Sequence, residues 1–269
     1  MKIGLCHNIF RTDLDWSFAR AAEVGADGVE VLFDDELMRR LSRDDEVISQ
    51  LRTLKARHKL EIPSLGLVSL CSQPSLISRP ELIEPGLQTV RRGLEVASAL
   101  GAGVLLLPFF GKNLIETEAE FNFAVEAIAQ LAEPAEEANV ILGIESTLNA
   151  SQQLLLLAST GHSPFVRVYF DTGNVLARKY DVVTLIRELG CGNICQVHLK
   201  DVRLADGARP DFEVALGQGS VDFRAVLHAL RACRYEGYLV LETPPLADPL
   251  ESAKANMKFA RELVAGGAA

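Results

Sequence analysis

Four short apolar runs in the second half of the chain each end on a side chain that metals bind. They are Val140-Ile-Leu-Gly-Ile-Glu145, Val166-Arg-Val-Tyr-Phe-Asp171, Ile194-Cys-Gln-Val-His198 and Tyr238-Leu-Val-Leu-Glu242. Together Glu145, Asp171, His198 and Glu242 supply three carboxylates and one imidazole. That donor set suits one divalent ion (Mn²⁺, Mg²⁺, Co²⁺ or Zn²⁺) better than a thiolate-bound metal. It also leaves carboxylates over for proton transfer. The plain structural alternative is a ring of salt bridges closing the strand ends.

Other residues gather around these four. In Gln196-Val-His-Leu-Lys-Asp-Val-Arg203 the two-residue period puts Gln196, His198 and Lys200 on one strand face. Asp201 or a backbone carbonyl is expected to hold the second ring nitrogen of His198. Arg203 is placed to reach a substrate hydroxyl or phosphate. Glu30 ends the run Asp27-Gly-Val-Glu-Val31 and reads either as a ligand for a sugar hydroxyl or, equally, as a surface carboxylate; His7, after the first strand, is a weaker site residue of the same kind. Gly217-Gln-Gly-Ser-Val-Asp-Phe223 reads either as an anion cradle or as a turn into a helix capped by Ser220 or Asp222. No Gly-x-Gly-x-x-Gly follows the first strand, and there is no P-loop or nucleophile elbow.

These residues need elements to carry them. Strand-like runs lie near 2–6, 27–32, 60–68, 103–107, 140–145, 166–170, 194–199 and 238–242, with helical stretches near 15–24, 44–58, 80–100, 116–138, 151–159, 180–189, 222–233 and 249–265. Strict alternation predicts a parallel sheet covered by helices. Eight units in 269 residues predict an α/β fold of the (β/α)₈ TIM-barrel type, one domain over 1–269. Such a barrel gathers its strand ends, and its chemistry, at one rim. The stretch 69–80, rich in Ser and Pro, reads as an ordered connection on that rim, and the tail Val264–Ala269 as frayed.

Composition narrows the function classes. A net charge of −9 argues against nucleic acid as a partner, which needs a basic stripe. A mean hydropathy of +0.15 and no long apolar run argue against a membrane. The N-terminus enters a strand directly, without a signal-peptide pattern, so a cytoplasmic location is expected. Five cysteines without a Cys-x-x-Cys pair are expected to be reduced thiols.

At Glu145, Asp171, His198 and Glu242 the chain resembles the xylose-isomerase-like barrel superfamily of sugar and sugar-phosphate isomerases and epimerases. The resemblance spans nearly the whole chain. It implies that the four residues bind one divalent metal and that Glu145 and Glu242 also shuttle protons. Asp171-Thr-Gly-Asn174, with His198-Leu-Lys-Asp201 and the Gly217–Phe223 run, looks most like the ketopentose-5-phosphate 3-epimerases. Free-ketose 3-epimerases usually carry a substrate-contacting His at the position of Asn174. The implied activity is an isomerase that epimerises a ketose, or interconverts aldose and ketose, through an enediolate. The implied partner is a small sugar or sugar phosphate, with a homo-oligomer common among relatives. A metal-dependent lyase of the inosose dehydratase type and a non-catalytic sugar-binding barrel are the alternatives.

Overall fold

The computed structural model of the protein describes residues 1–10, 13–43, 45–73 and 75–266. Eight parallel strands close into a barrel in chain order: β1 (Ile3–Cys6), β2 (Gly28–Leu32), β3 (Ser64–Gly66), β4 (Val104–Pro108), β5 (Ile141–Glu145), β6 (Val166–Asp171), β7 (Ile194–Leu199) and β8 (Leu239–Leu241). The α-helices around them are α1 (Leu14–Glu23), α2 (Asp35–Arg43), α3 (Glu46–His58), α4 (Glu84–Leu100), α5 (Glu118–Ala138), α6 (Ala150–Ser159), α7 (Thr172–Ala177), α8 (Val182–Leu189), α9 (Phe223–Ala232) and α10 (Pro249–Ala265). All eight strands fall where the apolar runs predict them. The strands are buried almost throughout, the pattern of a parallel sheet covered on both faces.

By internal contact the chain forms two compact units, one of Met1–Glu30, Ala56–Glu61 and Phe170–Ala269, the other of Val31–Lys55 and Ile62–Tyr169. In the first, β1 pairs with β2 and β8, and β7 with β8. Helix α9 starts where Asp222, not Ser220, caps it by accepting the Ala225 amide. In the second, β4 pairs in full register with β5, from Val104↔Ile141 to Pro108↔Glu145. Capping boxes at Thr117 and Asn149 fix the starts of α5 and α6.

Two helices differ from expectation, while the Ser/Pro-rich connection is ordered as expected. A separate helix α2 precedes α3; its buried apolar side chains are Leu37 and Leu41, one turn apart, too few to stand out as a period. Helix α7 begins directly after β6 because Asp171, the last strand residue, accepts the Asn174 amide at 2.6 Å as an N-cap. The Ser/Pro-rich connection forms a 3₁₀ turn at Val68–Ser72, and Asn113 Oδ1 accepts the amides of Ser75 and Leu76, both at 3.0 Å. Pro74 lies outside the described residues.

The cysteine expectation needs correction. The structure joins Cys191 and Cys233 in a disulfide, their Cα atoms 5.7 Å apart, while Cys6, Cys71 and Cys195 are free. The turn after α8 and the C-cap of α9 bring the two together, a proximity that a 42-residue spacing does not reveal. Of the expected frayed tail, Val264 and Ala265 complete α10, and 267–269 lie outside the described residues. No helix among the described residues is long and apolar enough to cross a membrane.

Candidate active site

His198 sits near the end of β7 and is 1% exposed. Its Nδ1 faces Asp171 Oδ2 at 3.7 Å and Glu242 Oε2 at 3.3 Å. Asp171 is the last residue of β6; Glu242 directly follows β8 and is partly exposed. Glu145 is the buried last residue of β5, its carbonyl accepting the Phe109 amide at 2.8 Å. One ligand atom from each of Glu145, Asp171, His198 and Glu242 falls within 4.8 Å of the others. Three carboxylates and an imidazole at that spacing fit a hard or borderline divalent cation.

The neighbouring groups set the electrostatics. Lys200 Nζ bonds Glu242 Oε2 at 2.7 Å and lies 3.6 Å from Asp171 Oδ2. Burial raises the pKa of Glu242, but Lys200 and His198 outweigh it and hold the carboxyl down to about 2. Burial likewise opposes charge on His198, yet Glu30 and Glu242 prevail and lift its pKa well above the ordinary value. A depressed folded pKa at Glu242 adds stability that is complete above its ordinary 4.5 and is lost as pH falls toward about 2. Glu242→Gln is therefore expected to flatten the loss of stability across that window, read from urea midpoints against pH. An unchanged slope would contradict the ion pairing.

Backbone contacts register this strand end. The Thr172 hydroxyl donates to the Lys200 carbonyl at 2.7 Å and accepts the Lys200 amide at 3.0 Å, so a side chain stands in for a ladder partner. Gly173 lets α7 come this close, since a Cβ there would lie 2.9 Å from Lys200 Cγ and 3.1 Å from its carbonyl oxygen. A cleft of about 190 Å³ opens beside Lys200 and Glu242, lined also by Asn8, Phe212, Glu213, Thr243, Pro244 and Pro245.

The structure relocates several expected site residues. Glu30 is wholly buried and accepts from His198 Nε2 at 2.8 Å, so a sugar hydroxyl cannot reach it as expected. It also takes the place on the His198 ring that was expected for Asp201. The Gly217–Phe223 run is not an open anion cradle, because a carboxylate of the chain itself fills it. Asp201 Oδ2 accepts the amides of Gly217 (2.9 Å) and Gly219 (2.8 Å), and Oδ1 those of Val202 (2.8 Å) and Val221 (3.1 Å). A Cβ at Gly219 would sit 2.2 Å from Asp201 Oδ1. Asp201→Ala would strand several of these amides. At roughly 1–3 kcal/mol for each buried donor left unpaired, a loss of about 3 kcal/mol is expected in chemical denaturation. A loss below about 1 kcal/mol would show that the loop holds itself without Asp201.

The remaining expected residues are outside the lining of the cleft. Arg203 is exposed and pairs with Asp211 at 3.0 Å across an isolated antiparallel bridge. His7 opens the 3₁₀ turn after β1 and is half-buried; Asn174, also half-buried, lies in the first turn of α7. Asn8, Thr172 and Phe212 are contributors that residue type alone did not mark out.

A closed parallel barrel with acid and imidazole donors at its strand ends defines a (β/α)₈ barrel of the kind that houses enzyme sites at that rim. The chain belongs to the xylose isomerase-like TIM barrel family, whose model matches residues 18–263. It is 29% identical over 211 residues to the 2-epi-5-epi-valiolone 7-phosphate 2-epimerase of Actinoplanes sp. (strain SE50/110), covering 78% of this chain and 75% of that one. It is 27% identical over 258 residues to SgbU of Escherichia coli (strain K12), to which an L-ribulose-5-phosphate 3-epimerase activity is provisionally ascribed, covering 90% and 88%. It is 28% identical over 185 residues to the inosose dehydratase of Geobacillus thermodenitrificans (strain NG80-2), covering 60% of each chain. In fold it matches a D-psicose 3-epimerase structure with D-tagatose from Clostridium cellulolyticum H10, with a TM-score of 0.79, 16% identity, and coverage of 98% and 99%.

Proposed function

We propose that the protein is a divalent-metal-dependent isomerase that moves a proton beside the carbonyl of a ketose or ketose phosphate and inverts C3. The observation that carries this reading is the donor set Glu145, Asp171, His198 and Glu242 at the strand ends. A divalent ion held by these residues would supply Lewis-acid stabilisation of the charge that develops on the substrate oxygen. One glutamate takes the proton from C3, leaving an enediolate, and the other returns a proton to the opposite face. Glu242 is ionised at neutral pH because, against burial, Lys200 and His198 hold its pKa down, and so it is available as one of the two proton carriers. Lys200 keeps that carboxylate oriented, and Phe212, Pro244 and Pro245 give the cleft an apolar edge that limits water beside the reacting carbon. The two epimerase relatives named above support proton transfer on a phosphorylated carbohydrate.

A lyase reading is favoured by the dehydratase relative. The same first step, proton abstraction beside a carbonyl, is then followed by loss of hydroxide. One experiment separates the two: metal-loaded protein in D₂O with a panel of ketoses, ketose phosphates and inososes, followed by NMR. Deuterium at C3 with formation of the epimer supports the epimerase. Loss of a hydroxyl with an inosose selects the lyase. No exchange with any of them would leave a sugar-binding barrel without chemistry.

A further inference from the structure

A carboxylate behind the metal-type donors has no place in the proton transfer just described. Glu30 on β2 is 0% exposed, as is Cys6 on β1. The two are register partners, Cys6↔Glu30, so their side chains leave the sheet on the same face. The pairings His198↔Val240, Gly4↔Val240 and Gly4↔Gly28 form one rung running from β7 through β8 and β1 to β2. Gly4 and Gly28 put no side chain into that rung. Glu30, two residues beyond Gly28 on the same strand face, meets His198 Nε2 at 2.8 Å through Oε1. The Cys6 thiol donates to the same Oε1 at 3.1 Å. A carboxylate taken this far from water persists only with such donors around it.

We propose that Glu30 is a positioning residue for His198: its carboxylate holds Nε2–H, which fixes the ring so that Nδ1 is the atom offered toward Asp171 and Glu242. The proposal rests on the reading of His198 as a metal ligand and adds the residue that orients it. An imidazole has two nitrogens, and the partner of one decides which way the other points and whether it carries a proton. The ring contacts divide in that way, with Nε2 on Glu30 and Nδ1 toward the two acids. Cys6 seconds Glu30 and is not itself a ligand here, although Cys6, Glu30 and His198 lie close enough together to hold an ion of their own.

The test is metal affinity rather than turnover. Mn²⁺ and Zn²⁺ dissociation constants are measured by competition with a chromophoric chelator for the wild type, Glu30→Gln and Cys6→Ala, with folding checked by circular dichroism. Glu30→Gln is expected to bind either ion about 10–100-fold more weakly, the range typical for loss of a group that orients a ligating histidine. Cys6→Ala is expected to keep wild-type affinity and a stoichiometry of one ion. A folded Glu30→Gln with wild-type affinity overturns the positioning role, and loss of an ion in Cys6→Ala makes the cluster a second metal site instead. A wild type that binds neither ion overturns the metal reading itself. Should Glu30→Gln fail to fold, ¹⁵N chemical shifts of His198 in the Zn²⁺-loaded wild type decide the matter: a proton on Nε2 with Nδ1 bare supports the proposal, and a proton on Nδ1 overturns it.

Discussion

Replacing Glu242 by Gln is expected to cut turnover by about 10²–10⁴-fold while leaving the barrel folded, and Glu145→Gln is expected to do the same. The argument starts from isosterism. Gln keeps the shape and one acceptor but cannot take or return a proton at neutral pH. At Glu242 the side chain is partly exposed and ion-paired with Lys200, so the exchange disturbs no buried core. At Glu145 the side chain is buried, and the same change tests a group with little access to water. In the proposed mechanism the two act on opposite faces of one carbon, so losing either is expected to stop inversion. They can still differ in exchange: the mutant that keeps the abstracting base is expected to wash deuterium into the substrate without forming the epimer. A mutant retaining more than about a tenth of wild-type turnover would remove that residue from proton transfer, being outside the range for a positioned acid or base.

The second large effect is expected from the metal. Chelation is expected to take turnover to background, with recovery on adding Mn²⁺, Co²⁺, Mg²⁺ or Zn²⁺ in an order set by the donor set. His198→Ala is expected to purify with much less bound metal than the wild type and to resist reactivation. Its imidazole is the one nitrogen donor of the set, and its removal leaves the like charges of Asp171 and Glu242 facing Lys200. Without the ion those carboxylates repel one another, so the apo protein is expected to melt below the loaded one. Full activity after exhaustive chelation, confirmed by elemental analysis, would contradict the metal role.

How much of this was legible in the sequence depends on what each residue's neighbours had to supply. The eight strands were, because apolar runs bounded by glycine and polar turns mark buried parallel strands without help from tertiary contacts. Asp171, His198 and Glu242 were legible for the same reason: each closes such a run, and a barrel sends all such ends to one rim. Depth was not legible. Glu30 reads as the end of its run, yet it lies inside β2, fully buried, and meets His198 at Nε2, the nitrogen opposite the two acids. At the glycine-rich run the helix-cap alternative holds, with Asp222 as the cap, and the loop amides are taken by Asp201, sixteen and eighteen residues before the glycines whose amides it accepts. Helix α7 was hidden because its cap, Asp171, is also a strand residue and a metal-type donor. The Cys191–Cys233 bond follows from the packing of α8 against α9, which no spacing encodes.

The most direct measurement is a crystal soaked in Mn²⁺ with anomalous scattering recorded near the manganese edge. One peak is predicted, within bonding distance of Glu145, Asp171, His198 Nδ1 and Glu242. A map with no peak among those four side chains, or with its peak on the Nε2 side of His198 against Glu30 and Cys6, would contradict the account.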